Sequence, residues 1–107
     1  NTATAAGALA AWMIAMGRGE EAEALARETL ETRRAVFSED DHWVALSRSA
    51  LGAALTLQGR YEEAEKELLR ARAVMAETLP EGDPPRVRNE ERIEALYRAW
   101  EREPPTQ

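Results

Sequence analysis

A turn motif that occurs twice, 42 residues apart, constrains the fold of this chain more than any other feature. Gly17 opens the earlier copy and Gly59 the later one, and each is followed by arginine, one further residue and the run Glu-Glu-Ala-Glu. Glycine suits the left-handed position that ends a helix, and glutamates suit the first turn of the next helix. Apolar residues at helical spacing flank both copies. The motif therefore predicts repeated helix-turn-helix units, which must stack to bury their apolar stripes.

The apolar spacing predicts five helices, at about residues 4–16, 20–37, 43–58, 61–79 and 86–102. Prolines around Pro84 separate the fourth helix from the fifth. In the fifth helix Glu94 takes the place of Gly52, and Glu101 the place of Gly59, so we expect it to cap the array. The predicted fold is all-α: one domain over residues 1–107, built of stacked antiparallel helix hairpins as an α-solenoid. Its parts are a first repeat at about 3–37, a second at about 43–79 and a capping helix at about 86–102.

The second unit carries a pattern of small and large residues that points to a family. The small residues are Gly52, Ala64 and Ala71, and the large ones are Leu51, Leu55, Tyr61 and Leu68. This pattern resembles a tetratricopeptide repeat in its long, kinesin-light-chain-like form of 42 residues. The first unit matches more loosely, with Leu9, Ala10, Met13, Gly17 and Ala22 in place. The run Asp41-His42-Trp43 and the segment ending at Trp100 are similar to the carboxy-terminal repeat segments of bacterial serine/threonine protein kinases. The resemblance implies a protein-interaction module.

Composition narrows the classes of partner. The formal net charge is -6 and the chain has no cysteine, which argues against a general nucleic-acid or membrane-surface binder and against disulfides or thiolate metal sites. The apolar stretch at residues 5–16 is shorter than the roughly 20 residues of a membrane span, and no basic flank precedes it. We expect a cytoplasmic location and no cofactor or metal. Because the chain begins without methionine, we expect it to be part of a longer polypeptide.

Candidate catalytic residues are few. His42 is the only histidine, and only acids in the preceding loop stand near it in sequence. We expect His42 to pack beside Trp43 at the start of the third helix, with Asp40 or Asp41 as the helix cap. The paired glutamates of the turn motif lie at helix starts, where they complement the helix dipole. The sequence therefore predicts a protein that is not an enzyme.

The resemblance implies a concave face lined by the first helix of each unit, where a partner helix or extended peptide would bind. Gly7 and Ala11 in the first helix and Ala50 in the third stand where carboxylate-gripping relatives carry lysine and asparagine, so we do not expect a full carboxylate clamp. Arg88 and Arg92 would receive an acidic group, the alternative being a solvated helix face. The predicted partner-binding residues are Leu46, Ser49, Ala53, Leu57, Arg88 and Arg92.

The first helix contains no charged residue, so we expect it to be covered on more than one side. One alternative is that a preceding repeat covers it. The other is self-association through Trp12, Ile14 and Met16, which would make the chain a scaffold segment of a larger bacterial signalling protein such as a serine/threonine kinase.

Overall fold

A computed structural model describes residues 2–102, with side chains from residue 5 onward. It contains five α-helices and, within those residues, no strand. The predicted all-α solenoid is confirmed. The helices are α1 (Thr2–Ala15), α2 (Gly19–Arg34), α3 (His42–Leu57), α4 (Tyr61–Thr78) and α5 (Pro84–Trp100).

The two glycine turns close the hairpins α1–α2 and α3–α4. Gly17 and Gly59 both have left-handed backbone angles, with φ of 75° and 74°, which only glycine adopts without strain. The residue after each glycine then donates its amide back into the helix that ends there: Arg18 to the carbonyl of Met13 and Arg60 to that of Leu55, at 2.9 and 3.0 Å. These bonds satisfy carbonyls at the helix end. The repeated motif thus builds the same turn twice.

The start of α3 is fixed by its cap. The Asp41 carboxylate accepts a hydrogen bond of 2.8 Å from the backbone amide of Trp43, which satisfies one of the unpaired donors at the helix start. His42 follows as the first residue of α3, and its ring centroid lies 5.0 Å from that of Trp43. The expected cap is therefore Asp41 rather than Asp40, and His42 packs beside Trp43.

Several helix ends differ from the predicted ones by two or three residues, and two of these differences have a clear cause. α2 ends at Arg34 rather than near Phe37, because the amide of Val36 bonds to the carbonyl of Arg33, three residues back instead of four. α5 begins at Pro84 rather than Arg86. Proline lacks an amide hydrogen, but the first-turn amides of a helix have no partner inside the helix in any case. Pro84 and Pro85 therefore open α5, whereas Pro80 follows the end of α4 at Thr78.

Helix α3 lies at the centre and packs against each of the other four helices. Leu51 and Leu55 of α3 are fully buried, together with Leu68 of α4 and Ile93 and Leu96 of α5. A second, smaller cluster joins α3 to the later part of α4 through Ala45, Ala71, Val74 and Met75. The core is therefore continuous through α3, and the outer helices define the two ends of the stack.

Close packing of α3 on α4 depends on a glycine. A methyl group on Gly52 would lie 2.5 Å from Cγ and 2.7 Å from Cδ2 of Leu68, distances that force one of the groups to move. Leu68 is itself fully buried. The two helices approach this closely because Gly52 has no side chain.

The packing between successive hairpins also repeats. Gly19 at the start of α2 contacts Gln58 at the end of α3, where the Gln58 amide donates to the Gly19 carbonyl at 3.3 Å. One period later, Tyr61 at the start of α4 lies with its ring centroid 5.7 Å from that of Trp100 at the end of α5. The second helix of each hairpin therefore packs on the next first helix in the same register.

We expect Gly52→Ala to lower the free energy of unfolding by about 1 to 3 kcal/mol, because overpacking against Leu68 outweighs the improved helix propensity. The matched control is Gly7→Ala in α1. A methyl group there would meet its nearest neighbour, the Arg33 guanidinium, at an ordinary 3.7 Å. We expect that variant to gain up to about 1 kcal/mol. Urea denaturation followed by circular dichroism measures both, and equal stabilities for the two variants would contradict the packing argument.

The carboxylates at the hairpin junction predict loss of stability in acid. The hydrogen bond from Gln58 holds the pKa of Glu23 below its ordinary 4.5, and the bond from Arg60 does the same for Glu63. Groups with a lowered pKa in the folded state stabilise it above pH 4.5, and that contribution disappears as the pH falls through the lowered values. We expect the urea midpoint to fall between pH 5 and about pH 2.

The variant Glu23→Gln is the check on this pH dependence, because it removes one of the titrating groups. Its urea midpoint should be lower at pH 7 and should change less between pH 5 and about pH 2. The matched control, Glu28→Gln on the exposed face of the same helix, should follow the wild-type profile. A wild-type midpoint that does not change over this range would refute the assignment.

Candidate functional site

A groove of about 450 Å³ runs between α1, α3 and α5 on one side of the stack. Helix α3 forms its floor, α1 forms one wall and the start of α5 forms the other. Side chains of α2 reach the floor from the side away from the opening. The lining residues are Gly7, Ala8, Ala10, Ala11, Ala26, Thr29, Arg33, Trp43, Leu46, Ser47, Ser49, Ala50, Pro85, Arg88 and Arg92. The groove therefore has a wall of small residues on α1 and a basic wall on α5.

Small residues keep the α1 wall low. Gly7, Ala8 and Ala11 present no side chain longer than a methyl group, and Ala50 on the floor opposite is equally small. Leu46 adds the one larger aliphatic side chain of the lining and is half-buried. This part of the groove is apolar. Because its lining residues are small, it has room for the backbone of a bound peptide and for short aliphatic side chains.

The basic wall is formed by two arginines one turn apart on α5. The Arg92 guanidinium is half-buried and donates to the Ser49 hydroxyl at 3.0 Å. Burial, and then the charge of Arg88, lowers the pKa of Arg92 to about 10. Arg88 is exposed at the rim. Two like charges held together in a partly dry site raise the energy of the unliganded protein, and an anion between them would lower it.

A third guanidinium, from Arg33 of α2, reaches the groove from below. It donates to the Trp43 carbonyl and to the Ser47 hydroxyl, both at 3.1 Å, and it lies 5.2 Å from the centre of the Trp43 ring. Burial lowers the pKa of Arg33. The sequence analysis missed Arg33 and Trp43 as groove residues. The sequence did contain a signal for Arg33: it is a charged residue on the otherwise apolar stripe of α2. A charged side chain that is buried needs specific hydrogen-bonding partners.

The groove differs in charge from the outer surface of the protein. None of the lining residues that the structure describes is acidic, and among the side chains of residues 5–102 no ion pair joins Arg88 or Arg92 to a carboxylate. Elsewhere, arginines are paired with glutamates of the same chain. Those pairs include Arg18 with Glu21, Arg27 with Glu23, Arg34 and Arg48 with Glu39, Arg60 with Glu63, and Arg72 with Glu90. A chain of net charge -6 thus keeps this groove basic.

The structure brings four of the six predicted partner-binding residues to the groove: Leu46, Ser49, Arg88 and Arg92. Ala53 is buried and does not line it. Leu57 is 46% exposed but lies in a separate shallow cleft beside the α1–α2 turn, with Gly17, Gly19 and Arg60 among its neighbours. Partner binding by any of these residues stays a prediction.

The three residues predicted for self-association also separate. Trp12 and Met16 are exposed on α1, and the Arg18 guanidinium lies 6.0 Å from the centre of the Trp12 ring. Ile14 is half-buried and packs against the main core. Ile14 is therefore part of the fold, while the other two remain on the surface, away from the groove.

Other kinds of site find no support in the part of the chain that the structure describes. No group of three or more His, Cys, Asp or Glu residues there could hold a metal ion. His42 has one carboxylate nearby, that of its neighbour Asp41 at 3.8 Å. None of the described helices has the length and apolar character needed to cross a membrane. The basic groove is the most distinctive concave feature that remains.

Comparison with known proteins supports the repeat architecture. The sequence model of the tetratricopeptide repeat matches residues 1–77. No curated protein and no solved structure matches the chain. The matched residues cover α1, α2, α3 and most of α4, which are the two hairpins closed by the repeated glycine turn. The chain is a member of the tetratricopeptide repeat family.

Proposed function

We propose that this protein binds a short acidic segment of a partner protein in the groove between α1, α3 and α5. Tetratricopeptide repeats generally mediate protein–protein interaction and form a non-catalytic fold. The single observation that carries the proposal is the pair Arg88 and Arg92 in a groove whose described lining residues include no acid. The bound segment is an extended peptide or a helix with small aliphatic side chains and at least one carboxylate.

The charge of the groove supports an anionic ligand group. A carboxylate placed between Arg88 and Arg92 would form charge-assisted hydrogen bonds in a partly desolvated site, where such bonds are stronger than in water. It would also offset the burial, and then the repulsion from Arg88, that lower the pKa of Arg92. Arg33, fixed by the Trp43 carbonyl and Ser47, adds a third positive charge at the floor. The acidic part of the partner therefore faces α5 and its small aliphatic part faces α1.

The shape of the groove supports a segment with small side chains. Gly7 and Ala11 on one wall and Ala50 on the floor leave little depth for a large aromatic group, while Leu46 offers an aliphatic contact. Because the walls belong to helices packed on a common core, the groove is present before the ligand arrives. Binding then requires little ordering of the protein, so less of the binding free energy is lost as conformational entropy.

A fluorescein-labelled peptide tests the proposal. It contains two alanines and a leucine followed by two aspartates, and the matched control peptide carries asparagines instead. We expect fluorescence anisotropy to detect the acidic peptide and not its control, with weaker binding at 0.5 M salt than at 0.05 M because ions screen the arginines. We expect Arg88→Gln and Arg92→Gln each to weaken binding about tenfold or more, the cost of one charge-assisted hydrogen bond.

Two variants outside the groove are the controls for this experiment. Arg98→Gln removes an exposed arginine of the same helix, and Leu57→Glu changes the separate cleft beside the α1–α2 turn. We expect both to bind the acidic peptide within about twofold of the wild type, since surface changes away from a site have small effects. Equal weakening by Arg98→Gln would indicate general charge attraction, and unchanged binding by the two groove variants would refute the proposal.

If Arg92 is kept for ligand binding at a cost to stability, replacing it with an apolar residue should stabilise the unliganded protein. We expect Arg92→Met to raise the free energy of unfolding by about 1 kcal/mol or more, because a desolvated cation with a hydroxyl as its partner is replaced by an apolar chain. The same change at Arg98 should alter stability by less than about 0.5 kcal/mol. Thermal denaturation measures both variants. A loss of stability in Arg92→Met would show that the arginine supports the fold rather than a ligand.

The finer predictions drawn from the resemblance remain proposals. They are a cytoplasmic location, attachment to a bacterial serine/threonine kinase and a role in signalling. A kinase-linked role fits a module that captures acidic segments, because such a module would bring substrates or regulators to the catalytic domain.

A further inference from the structure

The α5 wall of the groove carries more positive charge than one carboxylate can neutralise. Arg88 and Arg92 both line the groove and are four residues apart on α5, so their side chains lie on the same face of the helix. Burial, and then the charge of Arg88, lowers the pKa of Arg92 to about 10, so Arg92 is still charged at pH 7. A single carboxylate bound between the two arginines would therefore leave one positive charge uncompensated.

The surroundings of the two arginines do not supply the second negative charge. α1 has no charged residue, the lining residues that α3 contributes are uncharged, and α2 adds a further cation, Arg33. Glu91 lies between the two arginines in the sequence, but it is exposed and does not line the groove. Glu91 raises the pKa of Arg92 by less than burial and Arg88 lower it. The groove thus matches a ligand group with more than one negative charge.

The Ser49 hydroxyl stands beside these two guanidinium groups as a third donor. Ser49 is 2% exposed, lines the groove and accepts a hydrogen bond of 3.0 Å from Arg92. A hydroxyl that accepts a bond still has its own hydrogen to donate. Thr56, on the same helix, donates its hydrogen to the Gly52 carbonyl, whereas among the described residues no acceptor takes that of Ser49. Two guanidinium groups and a hydroxyl suit a ligand group with several acceptor oxygens.

We propose that the anionic group this groove binds most tightly is a phosphate on a serine of the partner segment, held between Arg88 and Arg92 with the Ser49 hydroxyl as a third donor. The inference rests on the proposed peptide binding and names the class of the anionic group. A phosphoserine carries a charge of about -1.5 to -2 at pH 7 and three strong acceptor oxygens. It therefore matches both arginines, and guanidinium groups bind phosphate oxygens through paired, charge-assisted hydrogen bonds.

The rest of the groove favours a phosphorylated peptide over other sources of phosphate. Free phosphate would leave the apolar wall of Gly7, Ala8 and Ala11 without a contact. A nucleic acid carries a single charge on each phosphate and gains affinity from many such contacts along its backbone. This chain has a net charge of -6, which repels such a backbone outside the groove. A peptide places one doubly charged group at α5 and its small aliphatic side chains at α1.

Three fluorescein-labelled peptides test the inference. Each begins with two alanines and a leucine and ends with asparagine, and the position before the asparagine is phosphoserine, aspartate or serine. Fluorescence anisotropy in a phosphate-free buffer at pH 7.5 measures their binding to the 107-residue chain. We expect the phosphoserine peptide to bind about tenfold more tightly than the aspartate peptide, the effect of one more hydrogen bond between charged groups. The serine peptide should not bind detectably.

The pH dependence tests whether the second charge of the phosphate is used. Phosphoserine loses its second proton with a pKa near 6, so the doubly charged form falls from nearly all of the free peptide at pH 7.5 to about a quarter at pH 5.5. The affinity of the phosphoserine peptide should fall by about fourfold over this range. The aspartate peptide should change by less than about twofold, because its carboxylate stays ionised. It also controls for titration of His42, which packs beside the groove residue Trp43.

The variant Arg88→Gln tests whether both arginines are needed. It leaves one arginine on the α5 wall, and one positive charge is neutralised as well by a carboxylate as by a phosphate. The preference for phosphoserine over aspartate should therefore fall below about threefold. Arg98→Gln, at another exposed position of the same helix, is the matched control and should keep the wild-type preference. Circular dichroism checks that both variants retain their helices.

Four outcomes would overturn the inference. Equal affinities for the phosphoserine and aspartate peptides would assign the groove to carboxylates and leave the proposed function intact. A full preference for phosphoserine in Arg88→Gln, or an affinity for that peptide that does not change with pH, would show that the second charge is not read by this pair of arginines. Inorganic phosphate that displaces the peptide at equal concentration would make free phosphate the ligand. If no acidic peptide binds, including the one with two aspartates, the proposed function fails as well.

Discussion

The structure depends on one helix that is packed from all sides. α3 contacts every other helix of the chain, and eleven of its sixteen residues are buried. A helix in that position must carry small residues where its neighbours come closest, and Gly52 is the extreme case because Leu68 occupies the space that a methyl group would need. Alanines provide much of the rest of the contact surface. The path of α3 thus sets the positions of α1 and α5, and these two helices form the walls of the groove.

The distribution of charge follows from the same arrangement. Glutamates on α2 and α4 pair with arginines on the outside of the hairpins, as Glu23 does with Arg27 and Arg60. The groove side of α3 offers hydroxyls instead: Ser47 accepts from Arg33, and Ser49 accepts from Arg92 without neutralising it. Arg92 is therefore held in position but keeps its charge. A folded chain that is acidic overall obtains a basic groove because its acidic residues lie on other faces.

The sequence allowed most of the architecture to be predicted, because its strongest signals are local. The glycine turns, the Asp41 cap and the apolar spacing depend on residues a few positions apart, and they indicated the helices correctly to within about three residues. The end of α2 and the start of α5 were less accurate, since helix ends are decided by a few hydrogen bonds. At the end of α2 the deciding bond comes from the Val36 amide to the Arg33 carbonyl, three residues back.

The candidate site could be predicted only in part, because spacing along one helix fixes a face and not its neighbours. Leu46 and Leu57 are eleven residues apart, close to three full turns, and so point the same way. They are also separated by about 16 Å along the axis of α3, which places Leu57 past the end of the groove, beside the α1–α2 turn. Arg33 shows the converse case. It comes from a helix not expected to line the groove and reaches the floor between α1 and α3, a position that depends on the packing of three helices.

Helix α1 combines two surfaces that a single apolar helix would not be expected to keep apart. Its groove side is built of Gly7, Ala8 and Ala11, and its outer side of Leu9, Trp12 and Met16. The small residues prevent the groove wall from becoming a hydrophobic patch of its own, while the large ones concentrate apolar area on the face that is in register with the interfaces of α3 and α5. The groove and the apolar outer face are therefore separate surfaces of one helix, so a substitution at Trp12 leaves the residues that line the groove unchanged.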